Sequence, residues 1–205
     1  MEERRRAAVR RRLASTNRRE SFRVGIFSHF SPLFPKARPL PLPGSFTTPL
    51  SDGWGLTNGA DGSGSLVASD GSDSLHTLDA TTLALRSSVR VSDGGTPVRM
   101  LNELEMIDDE IWANVWLTEC VARIDPATGR VNGWVLFHGL RDALPTGGAP
   151  APEALNGIAW DARRRRLFVT GKYWSRVFQV RLTKMPHNAG ELAKARQACN
   201  APRMG

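Results

Sequence analysis

Metal-binding chemistry is the first thing this sequence lacks. Its two cysteines, Cys120 and Cys199, are far apart with no CxxC spacing, and His29, His76, His138 and His187 are scattered, so neither a metal cluster nor a cofactor is expected. No apolar run is long enough to cross a membrane, and the basic start is not followed by the apolar region of a secretory signal. There is no N-x-S/T sequon to support secretion, and the compartment stays open. Cys120 falls in a predicted strand, where it reads as a small apolar side chain, with a disulfide to Cys199 as the alternative.

Acidic residues are scarce in the first fifty positions. Residues 1–50 hold 11 Lys and Arg against 3 Asp and Glu, leaving 17 against 17 of the chain's 28 and 20 for the rest. The basic excess therefore belongs to an arm. Two clusters, 4–6 and 10–12, are all arginine, and a Pro-rich run follows at 32–43. This composition predicts a disordered arm with an extended linker over 1–50, and a charged arm alone is weak support for a nucleic-acid partner. An organelle transit peptide is disfavoured by Glu2, Glu3 and Glu20 and by sparse Ser and Thr near the start.

What the sequence does have is a strand pattern repeated three times, over 66–79, 111–125 and 167–180. A shift of 56 places Ile111, Val121 and Ile124 on Leu167, Val177 and Val180, and a shift of 45 or 46 places Leu66, Leu75 and Leu78 on the second copy. Such periods mark blades or solenoid turns. Within each copy the alternation has period 2, and DPATG at 125–129 is hairpin-turn chemistry, which predicts an all-β fold of antiparallel four-stranded blades. The blades are expected at about 51–100, 101–150 and 151–183, followed by a tail, 184–205, in which 189–198 supports only a short marginal helix. Residues 139–153 read as a Pro and Gly rich surface loop, and the four arginines at 163–166 as a solvated turn between strands at 157–161 and 167–171.

Chemistry-bearing residues recur at corresponding places in the repeats. The first copy carries SDGWGLT at 51–57 and SDGS at 69–72; the second carries LNELE at 101–105, WANVW at 112–116 and ARIDPATG at 122–129; the third carries LNGIA at 155–159 and FVTGKYW at 168–174. In order and spacing these strings resemble the glutamine cyclotransferase family of plants and bacteria, which folds as a five-bladed β-propeller. The resemblance covers about residues 51–183, so it implies an incomplete propeller of about three blades.

The resemblance implies a glutaminyl-peptide cyclotransferase, an aminoacyltransferase that cyclises an N-terminal glutamine of a peptide or protein to pyroglutamate and releases ammonia. By motif position Asn102, Trp116 and Lys172 correspond to catalytic residues, with Trp54, Asn156 and Trp174 on the substrate. An Asn amide can orient the glutamine carboxamide, Lys172 can stabilise the oxyanion, and indole faces can exclude water. Other readings compete: Trp112, Trp134 and Trp160 fit a core between blades, Lys172 an exposed strand end, and Asn102 and Asn156 backbone satisfaction. Glu103 and Glu105 receive no role. The family's FTQGL-like and ESTG-like strings, which supply a Gln and the proton-shuttling Glu, are missing from residues 1–50. Weak or absent turnover is therefore expected. A fragment, a non-catalytic peptide- or protein-binding remnant, or self-association through open blade edges are the ways to account for three blades.

Overall fold

The computed structural model describes residues 22–30, 47–60, 64–146, 150–185 and 188–200. Its earliest strand, β1 (Phe22–Phe30), is separated in sequence from the sheet it joins. The first four-stranded antiparallel blade is β2 (Gly55–Asn58), β3 (Ser65–Ser69), β4 (Ser74–Asp79) and β5 (Leu85–Arg90), in that spatial order. A small hairpin of β6 (Ser92–Asp93) and β7 (Thr96–Pro97) turns on Gly94 and Gly95, whose φ values of 61° and 88° suit a tight hairpin turn. The second blade is β8 (Leu101–Ile107), β9 (Glu110–Val115), β10 (Cys120–Ile124) and β11 (Val131–Leu136). The third takes β12 (Leu155–Asp161), β13 (Arg166–Gly171) and β14 (Val177–Lys184) from the repeat region.

The third blade's fourth strand is β1, antiparallel to β14 from Phe22↔Lys184 to Phe30↔Val177. For residues 22–30 the expectation of a disordered arm is thereby corrected: backbone groups on the free edge of β14 are paired by a distant segment. Strand β1 also touches β11 in parallel at Phe22↔Val135 and Arg23↔Leu136, linking the outer edges of the second and third blades. The arginine clusters at 4–6 and 10–12 and the Pro-rich run at 32–43 lie outside the described residues. Among the described residues the architecture is nearly all-β, three four-stranded propeller blades and one helix, and no helix among them is long and apolar enough to cross a membrane.

The period-2 alternation decides how the blades pack. Along β10, Cys120, Ala122 and Ile124 enter one core with Val67, Leu104 and Trp134, while Val121 enters the other with Trp112, Leu155 and Phe178. The first core lies between blades one and two, the second between blades two and three. Trp112 and Trp134 are buried as the pattern predicts, but Trp160 is half-buried with the Arg165 guanidinium 5.2 Å above its ring. The turn at 125–129 forms as expected, its Asp125 carboxylate accepting from the N–H groups of Ala127 and Thr128. Arg163, Arg164 and Arg165 likewise sit in the turn between β12 and β13, and Arg166 opens β13.

Two local expectations change. Leu140 and Leu144, in the loop expected on the surface, are buried in the second core around a short 3-10 turn, Arg141–Ala143. The tail forms helix α1 (Ala189–Cys199), capped by the Asn188 side chain accepting from Glu191 N–H. Its end is fixed twice. Cys199 is in disulfide linkage with Cys120 at a Cα separation of 5.5 Å, and the Arg196 guanidinium donates to both carboxylate oxygens of Asp93 at 2.7 and 2.8 Å. Asp93 also accepts from Trp134 Nε1 at 3.0 Å. The free-thiol reading of Cys120 is therefore replaced by the disulfide, because the helix brings its last residue onto the blade.

Candidate functional site

Antiparallel pairing brings the selected residues to one end of the blades. The start of each innermost strand pairs with the end of the next, as in Gly55↔Ser69, Leu101↔Val115 and Leu155↔Gly171. Trp54, Asn102 and Asn156 stand at the beginnings of β2, β8 and β12; Trp116 and Lys172 follow the ends of β9 and β13. Matching backbone bonds fix these ends: Trp54 N–H donates to Ser69 O, Trp116 N–H to Met100 O and Lys172 N–H to Ala154 O.

Side chains from all three blades converge on the Trp116 indole. Trp54 of the first blade packs edge-on against it, ring centroids 5.4 Å apart, and Lys172 Nζ of the third lies 5.8 Å from its ring centroid, at the outer reach of a cation–π contact. Trp54 is itself oriented: Nε1 donates to Asp52 Oδ2 at 2.8 Å, and its ring lies where a Cβ on Gly71 would stand. Gly71 has φ 78°, so glycine serves there both for the backbone and for the close approach of the ring.

Asn102 is buried at the irregularity in β8, where its carbonyl accepts from Ser69 Oγ at 2.6 Å. A Cβ on Gly55 would collide with that same oxygen, so glycine permits the blades to approach. Asn156 holds the corresponding place in β12, and its Oδ1 is buried without a hydrogen-bond partner. Lys172 is exposed. Trp174 is placed differently. Its Nε1 donates to Glu153 O at 2.9 Å, its ring meets Phe178 edge-on at 6.0 Å, and it packs against the second core. Its contacts hold the turn that carries Lys172.

Sequence reasoning missed Asn114. It is buried on β9, its Oδ1 accepts from Gly157 N–H at 3.1 Å, and its Nδ2 has no partner. The signal was a polar residue inside the otherwise apolar WANVW strand. Glu103 and Glu105 also reach across the second interface, accepting from Ile158 N–H at 2.9 Å and Trp160 N–H at 2.8 Å. Burial pushes the Glu103 carboxyl up to about 7, with the Ile158 bond opposing and Glu105 adding to the rise; burial also raises Glu105. Both carboxylates join blades.

The arrangement offers two indoles in edge contact and a cation near the face of one, with Asn102 and Asn156 at the starts of β8 and β12. Residues 36–182 match the glutamine cyclotransferase family. A glutaminyl-peptide cyclotransferase of Arabidopsis thaliana is 42% identical over 141 residues, covering 69% of this chain and 43% of that protein. Among solved structures, glutaminyl cyclase of Myxococcus xanthus is 40% identical with a TM-score of 0.60, over 65% of this chain and 56% of that one. The chain thus spans about half the length of these relatives.

Proposed function

The chain belongs to the glutamine cyclotransferase family, and from that premise we propose that its three blades carry the positioning and oxyanion-stabilising half of a glutaminyl-peptide cyclisation site. The reaction is an intramolecular acyl transfer. A neutral α-amino nitrogen attacks the side-chain carboxamide carbon of an N-terminal glutamine, the carbonyl oxygen gathers negative charge, and the C–N bond then breaks as the attacking nitrogen gives up a proton and the leaving amide nitrogen takes one up to depart as ammonia. In this reading the Lys172 ammonium faces the developing oxyanion, Asn102 orients the carboxamide and Asn156 Oδ1 accepts from the substrate. Trp54 and Trp116 form the floor on which the glutamine lies away from water. Trp174 contributes by holding the Lys172 turn.

One observation carries the proposal: a Trp from the first blade and a Lys from the third meet on the indole of the second. Packing of two blades alone would not require a cation from the third at that place. The family's Gln and proton-shuttling Glu have no counterpart in this sequence, so slow turnover is part of the proposal. A second reading, a peptide- or protein-binding module that also associates with another copy, is favoured by the exposure of Leu56 on the first blade's outer face.

The test is ammonia release from a glutaminyl dipeptide by the purified chain, with Lys172→Ala beside it. Slow release that falls at least tenfold in the variant is expected. Release unaffected by Lys172→Ala overturns the assignment of that residue, and turnover equal to a full-length family member overturns the half-site proposal. Binding of the dipeptide without release supports the second reading.

A further inference from the structure

Two turns, one blade apart, share an unusual build. In the turn at 115–118, Thr118 N–H donates to Val115 O at 3.1 Å; in the turn at 171–174, Trp174 N–H donates to Gly171 O at 3.2 Å. The third residue of each is left-handed, Leu117 with φ 66° and Tyr173 with φ 57°. Glycine or asparagine ordinarily takes such a place, because a bulky side chain there crowds the backbone. Neither side chain is compensated by packing: Leu117 is 49% and Tyr173 61% exposed. Each position thus combines an unfavourable backbone with an apolar side chain in water, and such combinations concentrate where a ligand is handled.

The fold does not require them. The corresponding positions in the first blade, 45 residues before Trp116 and Leu117, are Gly71 and Ser72, where glycine takes the left-handed conformation and a polar residue follows. Both apolar residues directly follow the two side chains that meet at the candidate site, Trp116 and Lys172. Successive Cα atoms are about 3.8 Å apart, so the backbones of Leu117 and Tyr173 stand next to that site.

Resting on the cyclisation reading, we propose that Leu117 and Tyr173 form an apolar rim that holds the side chain of the residue after the N-terminal glutamine, and so select peptides with a bulky apolar or aromatic second residue. From a glutamine seated on Trp116 the rest of the peptide runs out past this rim. The next side chain is then the first part of the substrate to meet it. Burying an apolar side chain there replaces water on both surfaces, which is the contribution that separates a phenylalanine from a glycine at the same place.

The test compares glutaminyl-phenylalanine amide with glutaminyl-glycine amide, reading ammonia release and, by tryptophan fluorescence, binding. The wild-type chain is expected to favour the phenylalanine peptide by roughly tenfold or more. The double variant Leu117→Gly, Tyr173→Gly should bring the two peptides within about twofold while melting within a few degrees of the wild type, since glycine suits the left-handed backbone. Equal handling of both peptides by the wild type, or a preference kept by the double variant, overturns the rim. A large loss of melting temperature in the double variant also overturns it, by giving the two side chains a packing role. A chain that neither binds nor turns over either peptide overturns the cyclisation reading itself, and the rim with it.

Discussion

One strand position has two fates in this molecule. Leu56, Leu104 and Ile158 are equivalent by register, opposite Ala68, Ala113 and Val169. Leu104 is 1% and Ile158 7% exposed, because each packs where two blades meet, whereas Leu56 is 58% exposed on the outer face of the first blade. The next residue along varies in the same way. Thr57 Oγ1 accepts from Met106 N–H at 3.0 Å and Glu105 Oε1 from Trp160 N–H at 2.8 Å, each tying its blade to the one that follows. The equivalent residue of the third blade is Ala159, exposed and without a side-chain acceptor. A buried interface is thus made by apolar contact and by side chains that satisfy backbone donors across it; the same pattern without a neighbour is only an exposed strand.

The largest expected break in this comparison is at the apolar position. Leu104→Ala should cost about 2–5 kcal/mol of unfolding free energy, while Leu56→Ala should stay within about 0.5 kcal/mol, measured by urea denaturation of the purified chain. Similar costs at the two positions would show that the first blade's outer face is covered, and a concentration dependence would identify a second copy as the cover.

The polar links give the next effect, through pH. The folded chain holds a proton on Glu103 up to about pH 7, whereas the ordinary value is 4.5. Between those values the folded state binds more protons than the unfolded one, so stability should fall as pH rises through this window, and the full loss is present above it. Glu103→Gln keeps an acceptor for Ile158 and removes the titration. It should stabilise the chain by roughly 1–3 kcal/mol at pH 8 and leave pH 4 nearly unchanged, with Glu105 retaining a fall of the same sign. Thermal melts across pH 4–8 check it, and an equal slope in both proteins would remove Glu103 as its cause.

The smallest effect contrasts Thr57 with Ala159. Thr57→Val leaves the Met106 N–H without its partner and should cost about 1–2 kcal/mol. Ala159→Thr, where no donor of a following blade stands among the described residues, should change stability by no more than about 0.5 kcal/mol. Denaturation midpoints decide between them.

The legible part of the fold was the part with local periodicity. Alternation of apolar residues placed three blades, and the turn residues at 125–129 and 163–166 placed their hairpins. Strand β1 was not legible, since its role is to pair backbone groups of β14 about 150 residues away, and backbone pairing leaves little trace in side-chain type. Burial of Leu140 and Leu144 was hidden by the Pro and Gly around them. In the site, Trp54, Trp116 and Lys172 came from motif resemblance, and the structure brings them into contact. Trp174 shares the motif but faces Phe178, held there by the bond from its Nε1 to Glu153 O. Asn114 was missed because one polar residue in an apolar strand reads as an imperfection until its partner in the next blade is seen.

By itself the sequence determined the class of fold, the number of blades and the strand ends where polar and aromatic residues collect, because period-2 alternation and turn chemistry act over a few residues. Only the tertiary structure decided which equivalent positions are buried, that Cys120 pairs with Cys199, and that residues from three blades meet on one indole. Each of these depends on what another segment places opposite, and an isolated strand carries no record of its neighbour.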